Sequence, residues 1–348
     1  MRIRWHSEKL LLREPFRISR SVMHERGAVC VELSDGEHVG RGEAVTSVYY
    51  DLDEARIIEQ LAGLQPAVQR CDDPADFLGE LPAWSARLAP GVLSAVDAAL
   101  HELLALRNGI AVHELLGAPP PGDVPTACTI GIVPAEQAVR TAVDLTEQGF
   151  RVLKLKIGAA AGERGGDDLS RLAAIRAAAP NARLLLDPNG AWEPEKALRF
   201  LETAEQYGVS AVEQPIAPGD KERLGWVAQR SPIPVIADED AASLADVREL
   251  GSSVHGVNIK LAKCGGLQAA SELITTARGA GVDVMLGCLV ASSLGIAPAV
   301  HLAGLAGWVD LDGHLLLAED PWEGIGGTDG VLRLSGEPGL GVRPRRTL

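Results

Sequence analysis

From Thr126 onward the chain alternates short apolar strands with helical segments, and this regularity restricts the fold more than any other feature. Strand-like runs begin at Thr126 (TACTIGI), Val152 (VLKLKI), Arg183 (RLLLD), Ala211 (AVEQ), Pro234 (PVIAD), Gly256 (GVNIK), Asp283 (DVMLG) and Trp308 (WVDLD). Seven segments with helical spacing separate them. Eight parallel strands with intervening helices predict a sheet closed into a barrel. An open doubly wound sheet is the alternative, but no glycine-rich dinucleotide-binding turn follows the first run.

The first third has a different texture. VCVELSDGEHVGRGEAV (29–45) reads as a hairpin turning at Asp35-Gly36. Residues 52–69 and 92–108 carry helical spacing, and Asn108-Gly109 is a stop signal for the second helix. APPPGDVP (118–125) is the linker. We therefore expect an α+β capping domain over 1–122, a barrel over 123–323, and a C-terminal segment, 324–348, that returns to the cap.

Composition excludes several functions. A formal charge of −14 over 348 residues argues against nucleic-acid partners and anionic membrane surfaces. The most apolar region, 282–309, is broken by Asp283, Gly287, Ser292, Ser293, Pro298 and His301, which fits a buried strand and helix rather than a membrane span. The N-terminus lacks the features of a signal peptide. Five scattered cysteines without a CxxC pair suit reduced thiols in the cytoplasm, and Cys264 and Cys288 read as small core fillers. His301, in an apolar helical segment, reads as packed.

The chemistry lies at the ends of the barrel strands, where such folds build their sites. In RVLKLKIG (151–158), Val152, Lys154 and Lys156 share one face of an otherwise apolar strand. Burying two ammonium groups side by side is costly, and each disfavours protonation of the other. That predicts a lysine lowered from ~10.4 toward the ~7–8 useful to a base. The next three strands end in Asp187, Glu213 and Asp238, spaced 26 and 25 residues apart, close to one strand-helix unit each. Three acids in register would repel one another, and an oxygen-only set suits Mg²⁺. Lys260 ends the sixth strand, four positions round the ring from Lys156, so the two lysines face one another across the barrel mouth. Such a pair can remove a proton from one side of a carbon and deliver one to the other. Asp310 and Asp312, two apart on the eighth strand, could bind a cationic substrate end. Lys263 lies either at the surface or behind the site.

The series LKLKIG, LLLDPNGAW, VEQP, IADED, NIKLAKCGG and LGC resembles the enolase superfamily, in its muconate-lactonizing subgroup. The resemblance spans essentially the whole chain, since PFRISRS, GRGEAV and SAVDAALHELLALRNGIAVHELLG are similar to that family's N-terminal domain. It implies an α/β fold, a modified TIM barrel ((β/α)7β) whose α+β capping domain is completed by the C-terminal tail. It also implies Lys156 and Lys260 as acid/base catalysts, with Lys154 beside them, and Asp187, Glu213 and Asp238 as Mg²⁺ ligands. The DLD at 310–312 is similar to a motif by which dipeptide epimerases bind the substrate's ammonium. Thr129 matches a threonine close to the substrate there, and Arg20 falls one residue from a loop arginine that binds an acidic side chain.

The implied activity is epimerisation of a dipeptide at the α-carbon of its C-terminal residue, by two-base proton transfer through an enolate. N-acylamino acid racemase, o-succinylbenzoate synthase and muconate cycloisomerase share the scaffold and stay as alternatives. A Schiff-base lyase and a non-catalytic metabolite-binding barrel are the rivals of other classes. The partner implied is a small dipeptide, and self-assembly into a homo-oligomer is left open. Two positions depart from the family pattern: Ala291 stands where a Glu is usual, and Asp240 where Ser or Thr commonly follows the acid pair.

Overall fold

The computed structural model describes residues 1–19, 21–158 and 167–345. Three strands, Arg2–Ile18, Ser21–Ser34 and Val39–Val45, form an antiparallel sheet at the N-terminus. The hairpin between the last two turns where expected. Gly36 takes φ 104°, and Asp35 Oδ1 accepts the N–H groups of Glu37 and His38 at 3.0 and 2.8 Å. The strand Arg2–Ile18 had no counterpart in the sequence reading.

Two long helices cover this sheet. Glu54–Arg70 starts at Asp53, whose side chain accepts the Arg56 N–H, and Pro90–Asn108 ends at Gly109 in the left-handed region. The second helix lies directly on the strand Val39–Val45. A Cβ at Gly40 or Gly42 would overlap the carbonyl oxygens of Ala99 and Ala95, so the glycines of GRG set how closely helix and sheet approach.

The eight strands of the alternating region are all present: Ala127–Ile130, Val152–Lys156, Arg183–Asp187, Val209–Glu213, Val235–Ala237, Gly256–Ile259, Asp283–Gly287 and Trp308–Asp310, hereafter barrel strands 1 to 8. They pair in parallel, each with its sequence neighbours. Helices Ala135–Gln148, Asp168–Ala178, Pro194–Ala204, Lys221–Ala228, Leu244–Leu250, Leu267–Gly279 and Ser293–Val300 lie between successive strands. Side chains bridge the seam between strands 8 and 1: Leu311 N–H donates to Thr126 Oγ1 at 2.9 Å and Thr129 N–H to Asp312 Oδ2 at 2.7 Å.

Period-two alternation sorts the barrel interior from its shell. Val152 packs inside with Ala127, Leu185, Ala211, Ile236 and Met285, closing the bottom of the barrel. Leu153, Leu155 and Ile157 point the other way, into the layer between strands and helices. Lys154 and Lys156 stand above Val152 on the inner face, and both are buried.

Two acids of the N-terminal unit, buried Asp97 and half-buried Glu43, reach the barrel helices. Asp97 Oδ2 accepts the Leu267 N–H at 2.6 Å, and Glu43 accepts both the N–H (2.8 Å) and the hydroxyl of Ser292. Each satisfies an orphan donor at a helix N-terminus. The C-terminal segment pairs Val331–Leu332 with Val124–Pro125, and Gly339 exchanges hydrogen bonds with Ile110 and Val112 beside the long helix. Among the described residues no helix is long and apolar enough to cross a membrane.

Candidate active site

Four lysines and three acids meet at the C-terminal ends of barrel strands 2 to 6, all buried. Their charges alternate along a continuous path. Lys156 donates to Asp187 Oδ2. Lys154 Nζ lies 3.1 Å from the same oxygen, 2.5 Å from Glu213 Oε2 and 2.7 Å from Asp310 Oδ2. Lys260 Nζ stands 3.6 Å from Glu213 Oε1 and 2.7 Å from Asp238 Oδ2. Lys263 completes the path, with Asp238 Oδ1 at 2.6 Å and the carbonyls of Asp238 and Asn258 at 2.5 and 2.8 Å. Lys263 is therefore behind the site, not at the surface.

Local backbone features hold the acids in place. Asn189 and Gln214, just beyond Asp187 and Glu213, adopt φ 48° and 36°, rare for residues with a side chain. Asn189 N–H donates to Asp187 Oδ1 at 2.9 Å. Gln214 Oε1 accepts the Asp238 N–H at 2.9 Å, which ties strand 4 to strand 5. Asn258 Nδ2 donates to Glu213 Oε1 at 2.8 Å, and a Cβ at Gly287 would collide with that amide.

This charge pattern corrects one expectation. Neighbouring lysines should depress one another, but here Lys154 faces three carboxylates and Lys260 two. Burial pulls the Lys154 ammonium down, yet Asp310, Glu213 and Asp187 together hold its pKa well above the ordinary lysine value. Lys260 follows the same logic, with Asp238 and Glu213 outweighing burial. Burial opposes charge on Asp187 and Asp238 too, but the adjacent ammonium groups keep both ionised far below the usual carboxylate range. Glu213 differs. Burial and the neighbouring Asp187 charge push it up to about 7.

Among the described residues no three His, Cys, Asp or Glu side chains form a ready-made metal cage. The reason is geometric: ammonium groups lie between the acids. Lys154 bridges Asp187 and Glu213, and Lys260 bridges Glu213 and Asp238. The donor set nevertheless fits a hard cation. It is all oxygen, it is buried, a positive charge is already shared by each adjacent pair, and Glu213 Oε2 has no hydrogen bond of good geometry.

Strand 8 supplies the acids expected there. Asp310 is held by Lys154 through Oδ2 and keeps a buried Oδ1 without a hydrogen-bond donor. Asp312 accepts from the backbone of Thr129, and burial plus the charge of Asp310 raise its pKa to about 6. Arg20 lies outside the described residues. Asp240 accepts from Gln214 Nε2 and Gly219 N–H at 2.8 and 2.7 Å, a scaffold role. Ala291 lines a cavity of about 40 Å³ together with Glu43 and Lys260, so a carboxylate of the N-terminal unit borders the space beside position 291.

Sequence reasoning missed Glu43 and also Tyr50, whose hydroxyl is held un-ionised by burial and then by the charge of Asp238. Both come from the N-terminal unit, and no strand-end pattern marks them. All five cysteines are free, and Cys264 and Cys288 pack against the core as expected. His301 is packed too: its Nδ1 accepts the His113 N–H at 3.1 Å. A larger cleft of about 1150 Å³, bordered by Arg13, Asp320, Trp322 and Arg333, lies under the C-terminal segment and contains none of the lysines.

Comparison with known proteins gives this arrangement a context. The family model described as enolase C-terminal domain-like matches residues 137–348. A hydrophobic dipeptide epimerase from Roseobacter litoralis is 31% identical, with 98% of each chain covered. Two solved structures superpose with a TM-score of 0.91 over 98% of each chain. One is a substrate-liganded complex of the L-Ala-D/L-Glu epimerase from Bacillus subtilis, at 27% identity. The other, at 28%, is the dipeptide epimerase from Enterococcus faecalis complexed with Mg and the dipeptide L-Leu-L-Tyr.

Proposed function

The chain belongs to the enolase C-terminal domain-like family, and from that premise we propose that it is a Mg²⁺-dependent dipeptide epimerase of the cytoplasm. It inverts the α-carbon of the substrate's C-terminal residue. The observation that carries this reading is the alternating charge path on strands 2 to 6, in which Asp187, Lys154 and Glu213 separate Lys156 from Lys260 and Asp238 follows Lys260.

Asp187, Glu213 and Asp238 would hold the cation, which would supply positive field at the substrate carboxylate. Asp187 and Asp238 are also the hydrogen-bond partners of Lys156 and Lys260. One amine then takes the α-proton from its side, and the other, as ammonium, gives a proton to the opposite side. Lys154, between strands 3, 4 and 8, stays protonated and steadies the oxyanion. Asp310, through its unpaired Oδ1, and Asp312 receive the substrate's α-ammonium, and Thr129 lies beside them. Residues 1–122 form the specificity cap, while 123–323 carry the chemistry and 324–348 complete the cap.

The test is isotope exchange. Incubating a dipeptide library with the enzyme and Mg²⁺ in D₂O should place deuterium at the α-carbon of the C-terminal residue and generate its epimer. Absence of exchange into every dipeptide would refute the assignment.

A further inference from the structure

We infer that Arg171, with its partner Asp168, is a positioning residue for Lys156 and fixes the reach of one of the two opposed amines; the inference rests on the function proposed above. Arg171 lies on the helix Asp168–Ala178, outside the barrel, and is only 1% exposed. A guanidinium is costly to bury unless its donors are used, and burial here lowers its pKa. The two Nη groups make three hydrogen bonds, two to backbone and one to a carboxylate, while the buried Nε has none. Nη2 donates to the Lys156 carbonyl at 2.5 Å and to Asp168 Oδ1 at 3.0 Å, and Nη1 reaches the carbonyl of Val133, beyond strand 1, at 3.3 Å.

Asp168 completes the grip, since its Oδ2 accepts the Gly158 N–H at 2.8 Å. One ion pair therefore holds the chain on both sides of Ile157, where the regular pairing with strand 3 ends. Ile157 N–H itself donates to the Asp187 carbonyl at 3.2 Å, on the strand whose carboxylate Lys156 touches. Gly158 leaves with φ 88°, and a Cβ there would meet Ala191. Leu172 and Ile175 already supply the apolar packing of this helix face. Three acceptors in three segments suit a planar fork, which a lysine cannot reproduce.

Because the two amines serve opposite faces of the α-carbon, misplacing Lys156 alone must produce a one-sided defect. The assay follows α-proton exchange in D₂O from each epimer separately, using the Mg²⁺-loaded enzyme and a dipeptide that the wild type exchanges. Lys156→Ala identifies the epimer served by Lys156. Arg171→Met is expected to slow exchange from that epimer about 10–100-fold, the range a displacement near 1 Å can produce, and to leave the other epimer close to wild type. Arg171→Lys should fall between. Equal slowing from both epimers overturns the inference, as does undiminished exchange from both. If Arg171→Met does not fold, Asp168→Asn is read in the same way, with the same bias expected and equal slowing again decisive against it. A wild type inert toward every dipeptide overturns the proposed function, and this inference with it.

Discussion

Glu43 offers a prediction that can be worked to a magnitude. Its carboxyl is buried where the N-terminal unit meets the helix Ser293–Val300, and burial raises its pKa from the ordinary 4.5 to about 7 despite two hydrogen bonds from Ser292. The sign follows from proton counting. Below pH 4.5 both folded and unfolded chains hold the proton, so Glu43 contributes nothing. Between pH 4.5 and about 7 the folded chain retains a proton that the unfolded chain has released, so stability falls as pH rises. Above 7 both are ionised, and the full cost of about 3 kcal/mol remains. In Glu43→Gln the amide oxygen can accept from Ser292 N–H and the NH₂ can donate to its hydroxyl, which imitates the protonated acid. The variant should lie within about 1 kcal/mol of wild type near pH 5 and exceed it by about 3 kcal/mol at pH 8, about 4 °C for a chain of this size. Thermal denaturation of both proteins at pH 5, 6, 7 and 8, followed by circular dichroism, measures the difference. Parallel melting curves across that range, or a variant already several degrees less stable at pH 5, would refute the claim that burial dominates here.

Two further outcomes bear on function. Asp310→Asn should raise KM about 10–100-fold for dipeptides with a free amino end, the worth of one charge-assisted hydrogen bond, while N-acetylated dipeptides lose much less; steady-state polarimetry with both substrate sets distinguishes the cases. Removing divalent cations with EDTA should stop epimerisation and lower the melting temperature, and Mg²⁺ at about a hundred times its dissociation constant should restore about 2.7 kcal/mol.

The barrel was legible because its strands are buried on both faces, so each reads as a short apolar run between turn signals. Period two then sufficed to put Lys154 and Lys156 inside. The strand Arg2–Ile18 was not legible. It sits at a sheet edge, buries only Ile3, Leu10 and Leu12, and its many charged side chains hide the alternation. Lys263 was ambiguous for a different reason: a lysine's four-carbon stem can reach water or a neighbouring strand end, and spacing does not choose. Arg171 was invisible, because nothing in DLSRLAAIR distinguishes a guanidinium that grips a strand end from one in solvent. Protonation was the hardest matter. The strand pattern identifies which side chains share a face, but a pKa depends on all charges within a few ångströms. Here the deciding carboxylates come from strands 3, 4, 5 and 8.

The same fact explains why so much charge can be buried in one place. Each ammonium on the path touches at least one carboxylate, and each of the three strand-end acids touches at least two ammonium groups. Removing one member would leave its neighbours charged and unpaired in a low-dielectric interior, which costs several kcal/mol, whereas a path of apolar residues would be at least as stable. The arrangement is therefore poorly explained by stability. It is better explained as a set of charges whose partners can be exchanged, first among themselves and then for a cation and an anionic substrate, without the surrounding barrel having to move. A catalyst that must hold a proton on either side of one carbon needs that property, and a scaffold that merely had to fold does not.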